Sequence, residues 1–308
     1  MARRRKARRE APGPAGFLVV DKPPGWTSHD VVDAARGWLG TRRVGHLGTL
    51  DPAATGVLPL AVRGATKLIN FVQESDKIYA GSFRLGVETD TLDAEGRVLR
   101  THEGPVPDED RIRQVLASFE GEIQQVPPMY SAVKVGGVPL HRLARKGLEV
   151  EREPKWVTVA RFDMCKYAPP LLEIEVECTG GTYVRVLASD VGDRLGCGAH
   201  LADLRRTRSG PFGIEQALTP EQLARDAERG EIDRRLLSPL VVLGLPALHL
   251  TAHEVAQAER GLELDAQGPQ VPPGTKMVAH DGGGRIVGIV ELRPGRRLKP
   301  LRILPRDA

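Results

Sequence analysis

The segment Leu171–Cys178, which reads LLEIEVEC, constrains the fold most strongly. Its alternation of apolar and acidic residues predicts a β-strand with one buried face and one solvated face. Such strands are typical of antiparallel or mixed sheets rather than of parallel sheets that are covered on both sides. Two further strand-like segments, at 77–85 and 156–162, extend the pattern. We therefore expect a sheet with one solvated face.

Helix-capping residues divide the rest of the chain. Thr27 and Ser28 precede apolar residues at helical spacing that run to Gly40, and Asp108 precedes a second such run. The segment Thr219-Pro-Glu-Gln222 combines a capping box with proline at the first helical position. Helices of this kind between alternating strands predict an α+β fold.

Length and composition limit the possible classes of protein. The chain has 308 residues, enough for one large domain or two smaller ones, and its three cysteines lack the C-x-x-C spacing of a zinc site. The net charge is +4, but residues 1–10 alone carry +5, so the remainder sums to 4 − 5 = −1. Bulk charge therefore does not by itself predict nucleic-acid binding. No apolar run has the length of a membrane span or a secretory signal, so we expect a cytoplasmic protein with no membrane partner.

Composition also suggests how the chain is divided. Residues 1–15 are basic and then Ala/Pro/Gly-rich, which indicates a flexible arm, and the main body covers 16–245. From 246 to 308, one short capped helix is followed by strand-like segments broken by glycine and proline. This pattern predicts a small β-barrel-like module. Between 285 and 308 seven basic residues face only two acidic ones, which makes a local basic cluster.

Several common cofactor and metal motifs are absent from the sequence. There is no phosphate-binding P-loop, no dinucleotide-binding glycine motif and no H-E-x-x-H. His249 and His253 lie four residues apart, but no third ligand accompanies them and His253 falls within a capping box. We therefore expect neither a nucleotide cofactor nor a metal.

The densest unusual segment is 45–60, which contains three glycines and two prolines. Asp51 is its only carboxylate, and Pro52 restricts the backbone of Asp51 to extended conformations. Loop chemistry alone favours a structural interpretation, because aspartate before proline often caps a helix or forms a turn. A catalytic carboxylate held in a rigid loop is the alternative.

Five sequence blocks together resemble, in the same order, the TruB family of pseudouridine synthases, bacterial enzymes that modify uridine 55 in the T-arm of tRNA. The blocks are 20–28, 46–56, 77–86, 181–185 and 196–206. The resemblance implies a mixed-sheet catalytic domain over 16–245 with an RNA-binding insertion at about 125–152. It also implies that 246–308 form a PUA-like RNA-binding domain.

The same resemblance implies a cofactor-free reaction in which Asp51 is essential. The N1–C1′ bond of uridine breaks, the uracil turns, and C5 joins C1′. A carboxylate suits this chemistry because it can act as a nucleophile, stabilise a cationic sugar or transfer a proton. Attack on the base, attack on C1′ and removal of a sugar proton all stay open at this point.

Supporting roles follow by position from the resemblance. Arg185 would pair with Asp51, and Tyr79 would stack on the uracil and accept a proton at C5. Without the resemblance to the family, Arg185 would be interpreted as part of a structural ion pair, and Tyr79 as a half-buried aromatic residue of a strand. Tyr183 would pack near the uracil and Leu204 would contact it, although a lone leucine is typical of a core.

The substrate would be the T-arm stem-loop of tRNA, with the reacting base turned out of its stack. His46 would occupy the vacated position; the alternative is a loop histidine bonded to backbone. Backbone phosphates would contact Lys22, Lys67 and Arg206, together with Arg205. The insertion adds further basic residues: Lys134, His141, Arg142, Arg145, Lys146 and Arg152. The alternative to RNA binding is that the insertion is a solvated loop and helix. For the oligomeric state of the protein, we expect a monomer by default.

Two rival functions are compatible with these residues. One is a related pseudouridine synthase that acts on another RNA or is guided by one. The other is a noncatalytic factor that helps RNA to fold. The combination of Asp51, Tyr79 and Arg185 favours catalysis, because binding alone does not require a charged trio. Assistance to tRNA folding is compatible with catalysis and is expected alongside it.

Overall fold

The computed structural model of the chain describes residues 13–72, 76–105, 107–131, 133–144, 146–265 and 271–304. Residues 1–12 of the predicted arm and Arg145 of the predicted insertion lie outside the described residues. Within them the helices are α1 (Ser28–Leu39), α2 (Glu109–Ala117), α3 (Leu140–Ala144), α4 (Val184–Leu195), α5 (Pro220–Glu228), α6 (Pro239–Val242) and α7 (Ala252–Glu259). Short 3-10 helices span Arg63–Phe71, Ile214–Gln216 and Ile232–Arg235.

The strands of the described chain are β1 (Gly16–Lys22), β2 (Val44–His46), β3 (Thr55–Val62), β4 (Lys77–Leu85), β5 (Val87–Thr89), β6 (Val98–Thr101), β7 (Gly121–Gln125), β8 (Lys134–Val135), β9 (Val138–Pro139), β10 (Lys155–Ala168), β11 (Leu171–Cys178), β12 (Ala199–Ser209), β13 (Phe212–Gly213), β14 (Ala247–His249), β15 (Leu264–Asp265), β16 (Lys276–His280), β17 (Ile286–Arg293) and β18 (Arg297–Ile303). Helices and strands are both well represented, which confirms the predicted α+β class. None of the helices in the described ranges is long and apolar enough to cross a membrane.

The described residues form two compact units. The first takes those within Met1–Leu50, Leu58–Gln73 and Glu215–Ala308, and the second takes those within Asp51–Val57 and Glu74–Ile214. The predicted boundary at 246 follows a change in composition and stays a prediction.

The second unit is built on a mixed sheet. Strands β12, β4, β11, β10 and β7 lie side by side in that order, and each is antiparallel to its neighbours. The start of β3 pairs with β12 in the parallel sense, with Thr55 opposite Arg205 and Gly56 opposite Arg206. This arrangement confirms the mixed sheet that the alternating strands predicted.

Burial along these strands follows the sequence pattern. In β11, Leu172, Ile174, Val176 and Cys178 are buried, whereas the intervening glutamates are exposed or half-buried. Strands β4 and β11 have the predicted bounds, while β10 continues past the predicted end at 162 to Ala168. Helix α2 packs against β10 and α4 packs against β12, which covers the apolar face.

The first unit contains β1, β2, most of β3, α1 and α5. Of the two predicted N-cap residues of α1, Thr27 caps the helix and forms a capping box with Asp30, and Gly40 ends the helix in the left-handed conformation. The predicted capping box of α5 at Thr219 is also present. The buried Arg63 guanidinium donates to the Pro14 carbonyl at 3.2 Å, so the final residues of the predicted arm contact the folded protein.

The C-terminal residues of this unit form a five-stranded sheet in the order β14, β16, β17, β18, β15. The sheet and α7 share a core of their own, which includes Leu248, Val255, Met277, Val290 and Leu298. The predicted β-rich module is therefore present. The capped helix at 252–259 was predicted, whereas the strand at 297–303 was not.

Candidate active site

Asp51 lies in a turn that its own backbone closes. Its carbonyl accepts a hydrogen bond from the Ala54 amide at 3.1 Å, across Pro52. The aspartate side chain is 44% exposed. The turn that the structural interpretation expected is present, and the catalytic interpretation of the carboxylate stays a prediction.

The side chain of Asp51 meets Arg185, the second residue of α4. Arg185 Nη1 donates to Asp51 Oδ2 at 2.6 Å, and Nη2 donates to the Tyr130 carbonyl at 2.6 Å. The arginine side chain is only 5% exposed. A buried guanidinium fixed at two points gives the more exposed carboxylate one preferred direction. The predicted contact between these two residues is confirmed.

A second carboxylate, which the sequence analysis missed, shares this arginine. Asp93 Oδ2 lies 3.5 Å from Arg185 Nη1, and its side chain is 16% exposed. Asp93 Oδ1 accepts from the Thr91 hydroxyl at 2.5 Å and from the Glu95 amide at 3.1 Å, which fixes the carboxylate in a tight turn. The run of threonine, acid and glycine residues from 89 to 96 was the available signal, but it is also typical of an ordinary surface turn.

The start of α4 is held by Gln125, which was also missed as an individual residue. The Tyr183 amide donates to Gln125 Oε1 at 2.7 Å, and Gln125 Nε2 donates to the Tyr183 carbonyl at 3.1 Å. Tyr183 is the N-cap residue of α4, and its ring centroid lies 5.8 Å from Arg185 Cζ. Tyr183 is therefore adjacent to Arg185, and its predicted contact with the uracil stays a prediction.

Tyr79 lies in the centre of the sheet on β4 and is 6% exposed. Burial raises the pKa of its hydroxyl, against the opposing effect of the Arg206 guanidinium, and the Asp51 charge also raises this pKa. The phenol is therefore neutral at physiological pH. Leu204 is half-buried on β12 opposite Gly81, and its Cδ1 lies 3.2 Å from where a Cβ on that glycine would be.

Two predicted phosphate contacts are corrected by the structure. Lys22 has no exposed area, and its Nζ donates to the carbonyls of Pro23 at 2.9 Å and Trp26 at 2.7 Å. Arg206 is equally buried, and its Nε donates to the Val57 carbonyl at 2.7 Å. Both cations are bonded inside the protein, because a buried charge requires internal partners, and neither lies on a surface that a phosphate could reach.

The remaining candidates lie at or near the surface. His46 is half-buried in β2, where its Nδ1 accepts from the Gly48 amide at 3.4 Å. Lys67 and Lys134 are exposed. Their contacts with RNA stay predictions. No group of three or more side chains suited to holding a metal occurs among the described residues.

The geometry therefore provides one carboxylate open to a substrate, a buried arginine that orients it, and a buried neutral phenol. Such a carboxylate can act as a nucleophile, a charge stabiliser or a base. Aromatic side chains at 79 and 183 are suited to contact a planar base.

Known proteins resemble this chain over most of its length. Residues 36–184 match the model of the TruB family pseudouridylate synthase N-terminal domain, and residues 185–242 match that of the tRNA pseudouridylate synthase B C-terminal domain. A protein of Geobacter sulfurreducens named tRNA pseudouridine synthase B is 45% identical, over 90% of this chain and 89% of that one. A protein of the same name from Pseudomonas fluorescens is 42% identical, over 99% of each chain.

Among solved structures, a chain in a Cbf5-Nop10-Gar1 complex is similar, with a TM-score of 0.69 and 28% identity. The similarity covers 95% of this chain and 86% of that chain. Identity above 40% along nearly the whole length, together with two adjoining family models, leaves one conclusion. The chain belongs to the TruB family of pseudouridylate synthases.

Proposed function

We propose that this protein isomerises uridine 55 in the T-arm of tRNA to pseudouridine, with Asp51 as the essential group. The contact between Asp51 and Arg185 carries the proposal, because it brings together two of the family-like blocks in an arrangement suited to catalysis. The relatives named tRNA pseudouridine synthase B support tRNA as the substrate.

In the proposed reaction, the N1–C1′ bond breaks and the freed uracil turns so that C5 bonds to C1′. The hydrogen on C5 leaves as a proton, and N1 gains one, so no oxidant, reductant or cofactor is required. Asp51 acts in its ionised form, which Arg185 orients, either on the base, on C1′ or on a sugar proton. We assign to Tyr79 the stacking contact with the uracil and the acceptance of the C5 proton, and to Leu204 an apolar contact with the base.

The uridine must leave its stack before it can reach Asp51, at a cost of a few kcal/mol. We assign to His46 the position that the base vacates. Lys67 and Lys134 contact backbone phosphates, and the insertion at 125–152 folds over the T-loop. The C-terminal sheet is PUA-like and contributes further binding. Its support is the exposed basic side chains of β18, Lys299 and Arg302.

Tritium release from tRNA labelled at uridine C5 tests the proposal, because joining C5 to the sugar expels that hydrogen. We expect release by the wild type, little or none by Asp51→Asn, and full release by Asp110→Asn, an exposed acid on α2. Retained tRNA affinity in Asp51→Asn would place the defect in the chemical step. Mapping should find one modified uridine in the T-loop.

The rival functions give different results. Release from a uridine elsewhere would indicate a synthase for another site or RNA. Tight binding without any release by the wild type would favour a noncatalytic folding factor.

We also propose that the enzyme, as a cytoplasmic monomer, assists tRNA folding. If so, Asp51→Asn should still speed the refolding of misfolded tRNA, and a variant that loses both activities would contradict this separation.

A further inference from the structure

Arg206 lies between the two strands that lead to the proposed catalytic groups. It is in the middle of β12, with Tyr79 of β4 as its neighbour on one side and Gly56 of β3 on the other. Its side chain has no exposed area. Gly56 lies five residues after Asp51, so Arg206 is placed next to both the segment that follows the carboxylate and the strand that carries the phenol.

The polar atoms of Arg206 contact both neighbours. Its Nε donates to the carbonyl of Val57 at 2.7 Å. Arg206 is also paired in register with Tyr79, and its guanidinium opposes the rise in the pKa of the Tyr79 hydroxyl, by its charge and by hydrogen bonding. The backbones of β3 and β12 are also very close at Gly56, where φ is +98°. A Cβ added to this glycine would lie only 2.2 Å from the Arg206 carbonyl oxygen. One side chain therefore joins the start of β3 to the phenol.

We propose that Arg206 is a positioning residue for the isomerisation. It orients the Tyr79 hydroxyl by donating a hydrogen bond to the phenol oxygen. This inference rests on the proposed function. A guanidinium can only donate, so the phenol oxygen must accept, and the hydrogen of the phenol turns away from Arg206. This hydrogen bond fixes the rotation of the Tyr79 hydroxyl. The bond from Arg206 Nε to the Val57 carbonyl sets the distance between the phenol and the segment that follows Asp51.

The alternative is that Arg206 only stabilises the sheet. The two roles differ in what a conservative change would do. Lysine keeps the buried charge but has a single point donor, so it cannot reproduce the fork that reaches Val57 and Tyr79 together. A purely structural role predicts a loss of stability, whereas a positioning role predicts a slower chemical step in a protein that is folded and still binds tRNA.

The experiment compares Arg206→Lys, Tyr79→Phe and the double variant by single-turnover tritium release with enzyme in excess over tRNA. Arg208→Met is the matched control, because Arg208 is exposed on the same strand and bonds only locally, to the Gly210 carbonyl, through its Nε. We expect Arg206→Lys to lower the rate about 100-fold, as misplacement of a reacting group does, while tRNA affinity changes little. The double variant should be no slower than Tyr79→Phe.

Additive effects in the double variant would overturn the proposal, as would a rate loss that tRNA affinity fully explains. Absence of release by the wild type would instead reject the proposed function itself. If Arg206→Lys does not fold, the melting of Tyr79→Phe tests the hydrogen bond itself. Loss of the phenol oxygen should remove a buried hydrogen bond and lower Tm by several degrees. An unchanged Tm would contradict the bond on which the proposal depends.

Discussion

One guanidinium serves two carboxylates in the proposed active site, and they differ in exposure. Asp51 is 44% exposed, whereas Asp93 is 16% exposed and fixed by its own turn. The less exposed acid is therefore suited to hold Arg185, and the more exposed one is suited to meet a substrate. One positive charge shared by two negative charges leaves the group anionic overall, which favours a reaction that develops positive charge on a sugar.

Asp93→Asn tests this division of roles, because asparagine keeps the shape but removes the charge. Charge-assisted hydrogen bonds contribute about 1.5–3 kcal/mol, so the rate of tritium release should fall about 10- to 100-fold. Affinity for tRNA should be retained, as measured by filter binding. Asp110→Asn serves as the matched control. A rate equal to that of the wild type would show that Arg185 does not depend on Asp93.

Residue-level prediction succeeded where a motif carried information and failed where burial decided. Asp51 and Arg185 stand in distinctive blocks, and their contact was predicted. Asp93 was missed, because an acid among threonine and glycine is typical of many solvated turns. Lys22 and Arg206 were placed on the surface, because basic side chains are seldom buried, and only the structure shows their internal partners.

Elements were predictable in proportion to the strength of their local signals. The helices capped by Thr27, Asp108 and Thr219 all begin where predicted, because an N-cap side chain satisfies backbone donors at a defined position. Strands β4 and β11 were also found with their bounds. Strand β18 was missed because Pro300 interrupts the strand-like pattern of its sequence. Its place in the sheet depends on pairing with β17, which no local pattern specifies.

Helix α4 contains an acid that burial makes unfavourable. Burial, with a smaller contribution from Asp193, raises the pKa of Asp190 to about 6 against an ordinary value of 3.8. An acid whose pKa is raised in the folded state destabilises the fold when it is ionised. The loss of stability therefore begins as the pH rises from 3.8 and is complete above 6. Asp190→Asn should therefore stabilise the protein at pH 7.5 by about 1 kcal/mol, allowing for its partial exposure.

Thermal melting at two pH values checks this expectation. At pH 7.5 the variant should melt a few degrees above the wild type. The advantage should shrink as the pH falls below about 6, because the wild-type carboxyl then becomes protonated in the folded state. A difference that stays constant between pH 7.5 and pH 4 would show that another property of asparagine is responsible.

The insertion is the element proposed to fold over the T-loop, and it offers exposed trypsin sites at Lys134, Arg142 and Lys146. If tRNA covers this segment, saturating tRNA should slow cleavage there several-fold. The exposed Arg113 on α2 provides an internal reference, because its cleavage should change little. Cleavage within the insertion that is unaffected by tRNA would remove the support for a covering role.

For the whole molecule, RNA binding should arise from local clusters, because the chain outside residues 1–10 has a net charge of −1. Each lysine that neutralises a phosphate releases a counterion, so its removal lowers the slope of log affinity against log salt by about 0.9 on a duplex. We expect this change for Lys67→Ala, Lys134→Ala and Lys299→Ala. Equal slopes in a variant and the wild type would exclude that lysine as a phosphate contact.

Asp51 and Arg185 are separated by 134 residues along the chain. Closing a loop of this length costs conformational entropy before the contact forms, so such contacts are completed late in folding. During refolding, tritium release should lag behind the recovery of helical circular dichroism. During synthesis, a chain whose α4 has not yet left the ribosome lacks the ion pair that we propose to be catalytic. We therefore expect the nascent chain to be inactive on tRNA until α4 has been made.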